Sequence, residues 1–334
     1  MKRLTIGALV TASALTAGLA GAAEIAQASP ASEPVTWHTA WTGPRDGVLE
    51  SVTAPARDSA WAVGWVRHRP LLVHWNGRGW REVKFPVKGY TPYAIAASAA
   101  NDVWMFGVTA NETAEALSWN GAAWIKVAEP DIGGEALSGV AVLGPADVWI
   151  ATQTAAYHDL GGIWSKVRLP SNFVMWAGGQ LGQLAGTSDR NMWVAGTLTT
   201  SQGYQILAAY RWSVDRWRRV RIPRTPSYTA EIQVDSRRNV VIVTPHKVLH
   251  WNGARWTAMA NQNSPAVGPL APFGPHGFWI GAYSLWTGST WLTVLPMSSG
   301  YPAFSNGLAQ IPGTHQSWMA GDTHLGAVIM RSSG

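Results

Sequence analysis

Nine residues of this chain have the type and position to touch a ligand: Trp41, Trp65, Trp176, Tyr90, Tyr93, Tyr228, Tyr301, Glu50 and Glu231. Aromatic rings offer flat apolar faces that stack on sugars or hold a peptide. A carboxyl pair within about 5–10 Å would be the apparatus of a glycosidase. Other chemistry is poorly represented. The nine histidines show no metal-ligand spacing, and His276 and His315 fall in turns. There is no phosphate loop, no G-x-S-x-G and no recognisable nucleophile setting. No catalytic residue, metal or cofactor is therefore expected.

The aromatic candidates stand out because they break a repeat. A tryptophan-bearing phrase recurs as Asp58-Ser-Ala-Trp61, Asp102-Val-Trp104, Asp147-Val-Trp149, Asn191-Met-Trp193, Asn239-Val-Val241, Gly277-Phe-Trp279 and Gln316-Ser-Trp318. Successive anchors are 43, 45, 44, 48, 38 and 39 residues apart. A fixed period near 40 residues means a repeat architecture. About nine residues before each anchor stands an aliphatic residue, from Val52 and Ile95 to Leu270, with Leu308 one residue further off. After the anchor comes Trp-Asn-Gly-x-x-Trp, as in Trp75 to Trp80, Trp119 to Trp124 and Trp251 to Trp256, with looser copies elsewhere. Eighteen of the 21 tryptophans belong to these phrases or to a closing copy at Trp37. Recurrence at one place in every unit is what packing between units demands, so these are assigned to the core. Trp41, Trp65 and Trp176 are the three left over.

Each unit resolves into four short strands. In the first they are expected at 48–54, 61–66, 71–75 and 79–85, with Asn76-Gly77 making a tight hairpin through positive φ at both central positions. No window carries sustained apolar residues at helical spacing, so no helix is expected after the leader. Trp80 and Val83 lie three apart, which turns them to opposite faces of a strand. Both faces can be apolar only if each unit is sandwiched between two others. The fold expected is all-β: a seven-bladed β-propeller with four antiparallel strands per blade. The seventh unit stops at Arg331 without a fourth strand, and Val35-Thr-Trp37-His reads like Trp80-Arg-Glu-Val83. The N-terminal strand should therefore close the ring and leave no free inner edge.

On this plan the nine candidates share one rim, here called the top. Trp41 follows a fourth strand and Trp65 ends a second strand. Trp176, Tyr90, Tyr93, Tyr228 and Tyr301 lie between a fourth strand and the next first strand, or at its start. Glu50 and Glu231 begin first strands in blades 1 and 5, which are not neighbours. That separation argues against a glycosidase pair.

Residues 1–28 read as a secretory signal peptide: Lys2 and Arg3, an apolar run to Ala20, then Ala26-Gln-Ala28. Residues 29–34 are a short linker and 35–334 a single propeller domain. Beyond the leader no apolar stretch is long enough to span a membrane. The chain has no cysteine, so cohesion must come from burial rather than disulfides. Formal charge is +6, much of it in Arg216, Arg218, Arg219, Arg221 and Arg224. These arginines can be a patch for an anionic polymer such as teichoic or nucleic acid. The reading preferred is that they guard an outermost strand against strand addition, so no nucleic-acid partner is expected. The Asp or Asn before each anchor is assigned to hydrogen bonding within its own turn rather than to calcium. His74 and His250 occupy one repeat position and are assigned structural roles.

The units resemble those of kelch-like and galactose-oxidase-like propellers. They are more similar still to secreted bacterial propellers with repeated "D-V-W-A-V-G … H-W-N-G-x-x-W" blades, over essentially all of residues 35–331. The resemblance implies a fold and little about activity. Galactose oxidase uses copper and a Tyr–Cys crosslink, and with no cysteine here that chemistry does not carry over. The sialidase Asp-box is also missing. The expectation is a secreted, monomeric, non-enzymatic module for extracellular glycan or cell-envelope polymer. A protein-interaction scaffold is the first alternative, and a propeller glycoside hydrolase or lyase the second.

Overall fold

A computed structural model describes residues 34–175, 182–227, 229–260 and 268–334. Residues 35–334 form one unit. The β-rich phrases become strands, and the described residues contain no helix. Blade 1 is Gly47–Ala56, Ser59–Val66, Arg69–Trp75 and Trp80–Glu82, hydrogen-bonded in that order. The same antiparallel order repeats to give seven blades in a ring. The first strands line the centre and the fourth strands the outside.

Blade 7 combines Phe304–Gln310, Ser317–Thr323 and Gly326–Ser332 with the amino-terminal strand Trp37–Thr42 on the outside. The N-terminal strand thus closes the ring. Blade 4 departs from the plan. The place of its first strand is shared by Leu184–Gly186 and Phe173–Val174, which pair with different halves of Met192–Thr199. A hairpin of Met297–Ser298 and Tyr301–Pro302, not anticipated from the repeat, precedes blade 7.

The core lies between blades. At three interfaces the anchor faces the aromatic pair of the next blade. Trp61 meets Trp119 and Trp124, both with centroids at 5.4 Å, and Trp149 meets Trp212 and Trp217 at 5.4 and 5.8 Å. Trp318 of blade 7 meets Trp75 and Trp80 of blade 1 at 5.1 and 5.2 Å. Trp80 and Val83 do face opposite neighbours, blade 7 and blade 2.

One local reading is corrected and one is extended. The Asn-Gly turn is not a two-residue hairpin. Trp75 pairs with Trp80 across four residues, and only Gly77 has positive φ. The Asn76 side-chain oxygen accepts the N–H groups of Arg78 and Gly79, both at 3.1 Å, and this Asx turn shapes the loop. The Asx before the anchor serves the anchor as well as its turn: Asp102 accepts from the Ser98 hydroxyl, and the Asn191 amide donates to the Thr187 hydroxyl oxygen at 2.9 Å. Residues i and i+2 of a strand share a face, so Asp102, Asp147 and Asn191 accept the indole N–H of Trp104, Trp149 and Trp193 at 3.0, 3.2 and 3.0 Å. His158 stacks on Trp149 and bonds Asp147 at 2.8 Å. Where Ser59 or Gly277 stands at that position, the buried indoles of Trp61 and Trp279 have no partner among the described residues.

Candidate functional site

The glycine ending the anchor phrase shapes the site. A Cβ at Gly64, Gly107 or Gly321 would overlap the carbonyl oxygen of Val48, Thr91 or Phe304 on the first strand. The first strand crosses that close because it bulges there. Leu49 pairs Gly64 and Ser51 pairs Val63, which leaves Glu50 as the extra residue. Tyr93 and Asn306 are the extra residues of the same bulge in blades 2 and 7. A bulge re-aims a side chain. Here it turns Glu50, Tyr93 and Asn306 into the central channel, a cavity of ≈370 Å³ lined by all seven blades.

Glu231 reaches the same channel without a bulge, from the start of Glu231–Ser236. It is 4% exposed, and its Oε2 has no hydrogen-bond partner among the described residues. It lies over Gly182, where an added Cβ would stand 2.9 Å from the Glu231 Cγ. Burial alone pushes its carboxyl up to about 8. Glu50 is also raised, first by burial and then by Asp322. Asp322 is raised by burial, and the Asn306 amide, donating to it at 3.3 Å and to the Leu49 carbonyl at 3.0 Å, opposes that rise.

Glu50 and Tyr93 also line a larger groove of ≈900 Å³ over the top of blades 2 and 3. Its walls are the 110–114 loop and the 128–136 loop, and they bring Glu112, Glu129, Asp131 and Glu135 to one space. Glu129 is pushed up to about 7 by burial and by the neighbouring Glu115. Burial also acts to raise Glu135, but hydrogen bonds from Thr154, its hydroxyl at 2.7 Å and its N–H at 3.0 Å, hold that carboxyl below the usual range. Groove and channel share a lip, so one extended ligand can occupy both.

The sequence-derived candidates separate into distinct places. Tyr93, 44% exposed, and Glu50 are at the lip, and Glu231 is in the channel. Tyr301, 45% exposed, lies edge-on to His324 at 3.8 Å and lines neither cavity. Tyr90, 2% exposed, is in the core, and its hydroxyl donates to the Glu115 carbonyl at 2.7 Å. It is corrected from rim to core. Trp41 packs on the cluster between blades 7 and 1. Trp65 is half-buried between Val48 and Pro70 of its neighbouring strands. Trp176 and Tyr228 lie outside the described residues. The groove carboxylates and Asn306 were not singled out from sequence. For Asn306 a signal exists, the bulge offset shared with Glu50 and Tyr93. For the loop carboxylates none does.

Arg216, Arg218 and Arg219 are exposed on the outermost strand of blade 4, Arg216–Val220. Among the described residues no group of three or more His, Asp or Glu is placed to hold a metal ion. No helix among them is long and apolar enough to cross a membrane.

No family model and no curated protein matches the chain. Solved structures do. YCF48 bound to a D1 peptide is 15% identical, with a TM-score of 0.60 over 90% of this chain and 96% of that one. A streptogramin B lyase is 11% identical, with a TM-score of 0.62 over 90% and 97%. A catalytically inactive histidine-to-alanine variant of virginiamycin B lyase from Staphylococcus aureus, with quinupristin, is 12% identical, with a TM-score of 0.63 over 90% and 100%. At these identities the likeness establishes the propeller scaffold alone.

Proposed function

We propose that the protein is a non-enzymatic binding propeller whose top-face groove takes an extended cationic segment of a partner protein. The observation that carries this is the joined cavity. Glu112, Glu129, Asp131 and Glu135 surround a groove of ≈900 Å³ that opens past Glu50 and Tyr93 toward buried Glu231, in a chain of net charge +6. Concentrated negative charge in a cleft raises the local concentration of a positive ligand. A propeller of the same architecture, YCF48, was solved with a peptide bound. Residues 1–28, with basic residues ahead of an apolar run, support secretion and so an extracellular partner.

Glycan is the second reading. Tyr93 keeps an exposed ring at the lip, where a sugar can stack. Of the other aromatics proposed for this task, Tyr90 and Trp41 are committed to packing. Parallel arrays of basic peptides, acidic peptides and cell-wall glycans decide between the readings. Selective retention on the basic peptides is expected. Retention on glycans with none on basic peptides would reverse the order.

A further inference from the structure

We propose that the central channel is a seat for a primary ammonium group, held against the Glu231 carboxylate after passing Glu50 and Tyr93 at the lip. The inference rests on the groove reading above and names the chemistry at its inner end.

Three observations converge on it. Glu231 lines the cavity, yet its Oε2 has no partner among the described residues. A buried polar atom without a hydrogen bond is costly, and a donor arriving in the channel would satisfy this one. Gly182 leaves the space the side chain occupies. The channel lining around it is largely apolar and includes Ile95, Val140, Leu184 and Ile232. Such walls suit the aliphatic stem of a lysine or alkylamine, whose compact charged head can travel to one carboxylate.

Among the described residues no cation lines the channel. The strands packed against Glu231–Ser236 are Leu184–Gly186, Met192–Thr199, Asn239–Val243 and Leu270–Phe273, and none carries a titratable residue. On its own strand only Asp235 ionises besides Glu231 itself, and Glu50 and Tyr93 are the other titratable groups in the channel lining. An arriving ammonium would favour the ionised carboxylate and release a proton as it binds.

The test is calorimetry on the full protein near pH 7 with three probes: an N-acetylated, C-amidated pentapeptide with one central lysine, the same peptide with norleucine, and n-butylamine. In the parent, the lysine peptide should bind at least tenfold tighter than the norleucine peptide. Its enthalpy should vary with the ionisation heat of the buffer, the mark of proton release. Glu231→Gln, which keeps the shape of the protonated side chain, should lose about tenfold in affinity and the buffer dependence together. The n-butylamine arm separates the two sources of the group. An amine weaker than the peptide assigns a peptide side chain, and equal affinity assigns a free amine. Equal binding of lysine and norleucine peptides overturns the proposal, as does buffer-independent binding in the parent, a result that needs no variant. Unchanged affinity in Glu231→Gln, with a loss in Glu135→Gln, removes the channel seat and leaves the groove reading standing. Absence of binding by all probes removes both.

Discussion

Trp37 of the amino-terminal strand and Trp279 of blade 6 lie with ring centroids 5.0 Å apart, and the Trp37 indole donates to the Ala282 carbonyl at 2.8 Å. Trp37 occupies the place that Trp80 holds against Trp318 at the next interface. One aromatic contact thus ties residue 37 to the far end of the ring, across more than 240 positions. Trp37→Ala should cost about 3–5 kcal/mol, the usual range for a buried aromatic. Deleting residues 35–41 should lower the melting midpoint further. An unchanged midpoint in the deletion would contradict closure by this strand.

Trp149 is fully buried between His158 of its own blade and the Trp212 and Trp217 pair of the next. Trp149→Ala should cost about 3–5 kcal/mol. Asp147→Ala should cost less, about 1–3 kcal/mol, because it strips the partner from a buried indole while leaving the packing. Chemical denaturation of both variants checks the ordering. A larger loss in Asp147→Ala would make the hydrogen bond, not the ring, the main contribution.

Tyr93→Ala should leave stability within about 1 kcal/mol of the parent, as surface changes usually do, and should weaken retention on the preferred ligand. Tyr90→Ala, only three residues away, should behave oppositely and melt as a core variant. Paired thermal melts and affinity measurements separate them.

Glu231 sets a pH dependence. Its folded carboxyl lies near 8, against an unfolded value near 4.5, so the folded state holds the proton more tightly. Its contribution to stability is complete below about pH 4.5 and is lost as the pH rises toward 8. Glu231→Gln cannot ionise. Its stability relative to the parent should therefore increase between pH 5 and pH 8. A constant difference across that range would mean that Glu231 has an ordinary carboxyl in the fold.

The ring was legible because its determinants are repetitive. Anchors near 40-residue spacing, the Trp pairs and the Trp37 copy all follow from packing that recurs in every blade. The site was legible only in part, because its residues do not recur. Glu50 and Tyr93 could be placed at the start of first strands. Their entry into the channel depends on a bulge set by Gly64 and Gly107, a backbone effect that residue types alone do not announce. The same bulge separates Tyr93 from Tyr90, which the rim assignment had grouped together. Glu112, Glu129, Asp131 and Glu135 come from irregular loops whose meeting depends on how blades 2 and 3 abut. The Asx residues were assigned to turns because turn chemistry is local. Asp102 and Asn191 do bond there, and their second partner, the indole two residues on, depends on the strand pairing that puts both on one face.

The groove's charge is the centre of the account, and it is tested by the salt dependence of peptide binding. A fluorescence titration of a labelled lysine-containing peptide would be run at 50 and 300 mM salt, with the parent and with Glu112→Gln/Asp131→Asn/Glu135→Gln. Exposed charges near a protein surface contribute about 0.2–1 kcal/mol each and are screened by salt. The parent should bind about tenfold tighter than the triple variant at low salt, and the gap should narrow at high salt while both proteins melt alike. Equal binding by parent and variant at both salt concentrations would contradict recognition of a cationic segment by this groove.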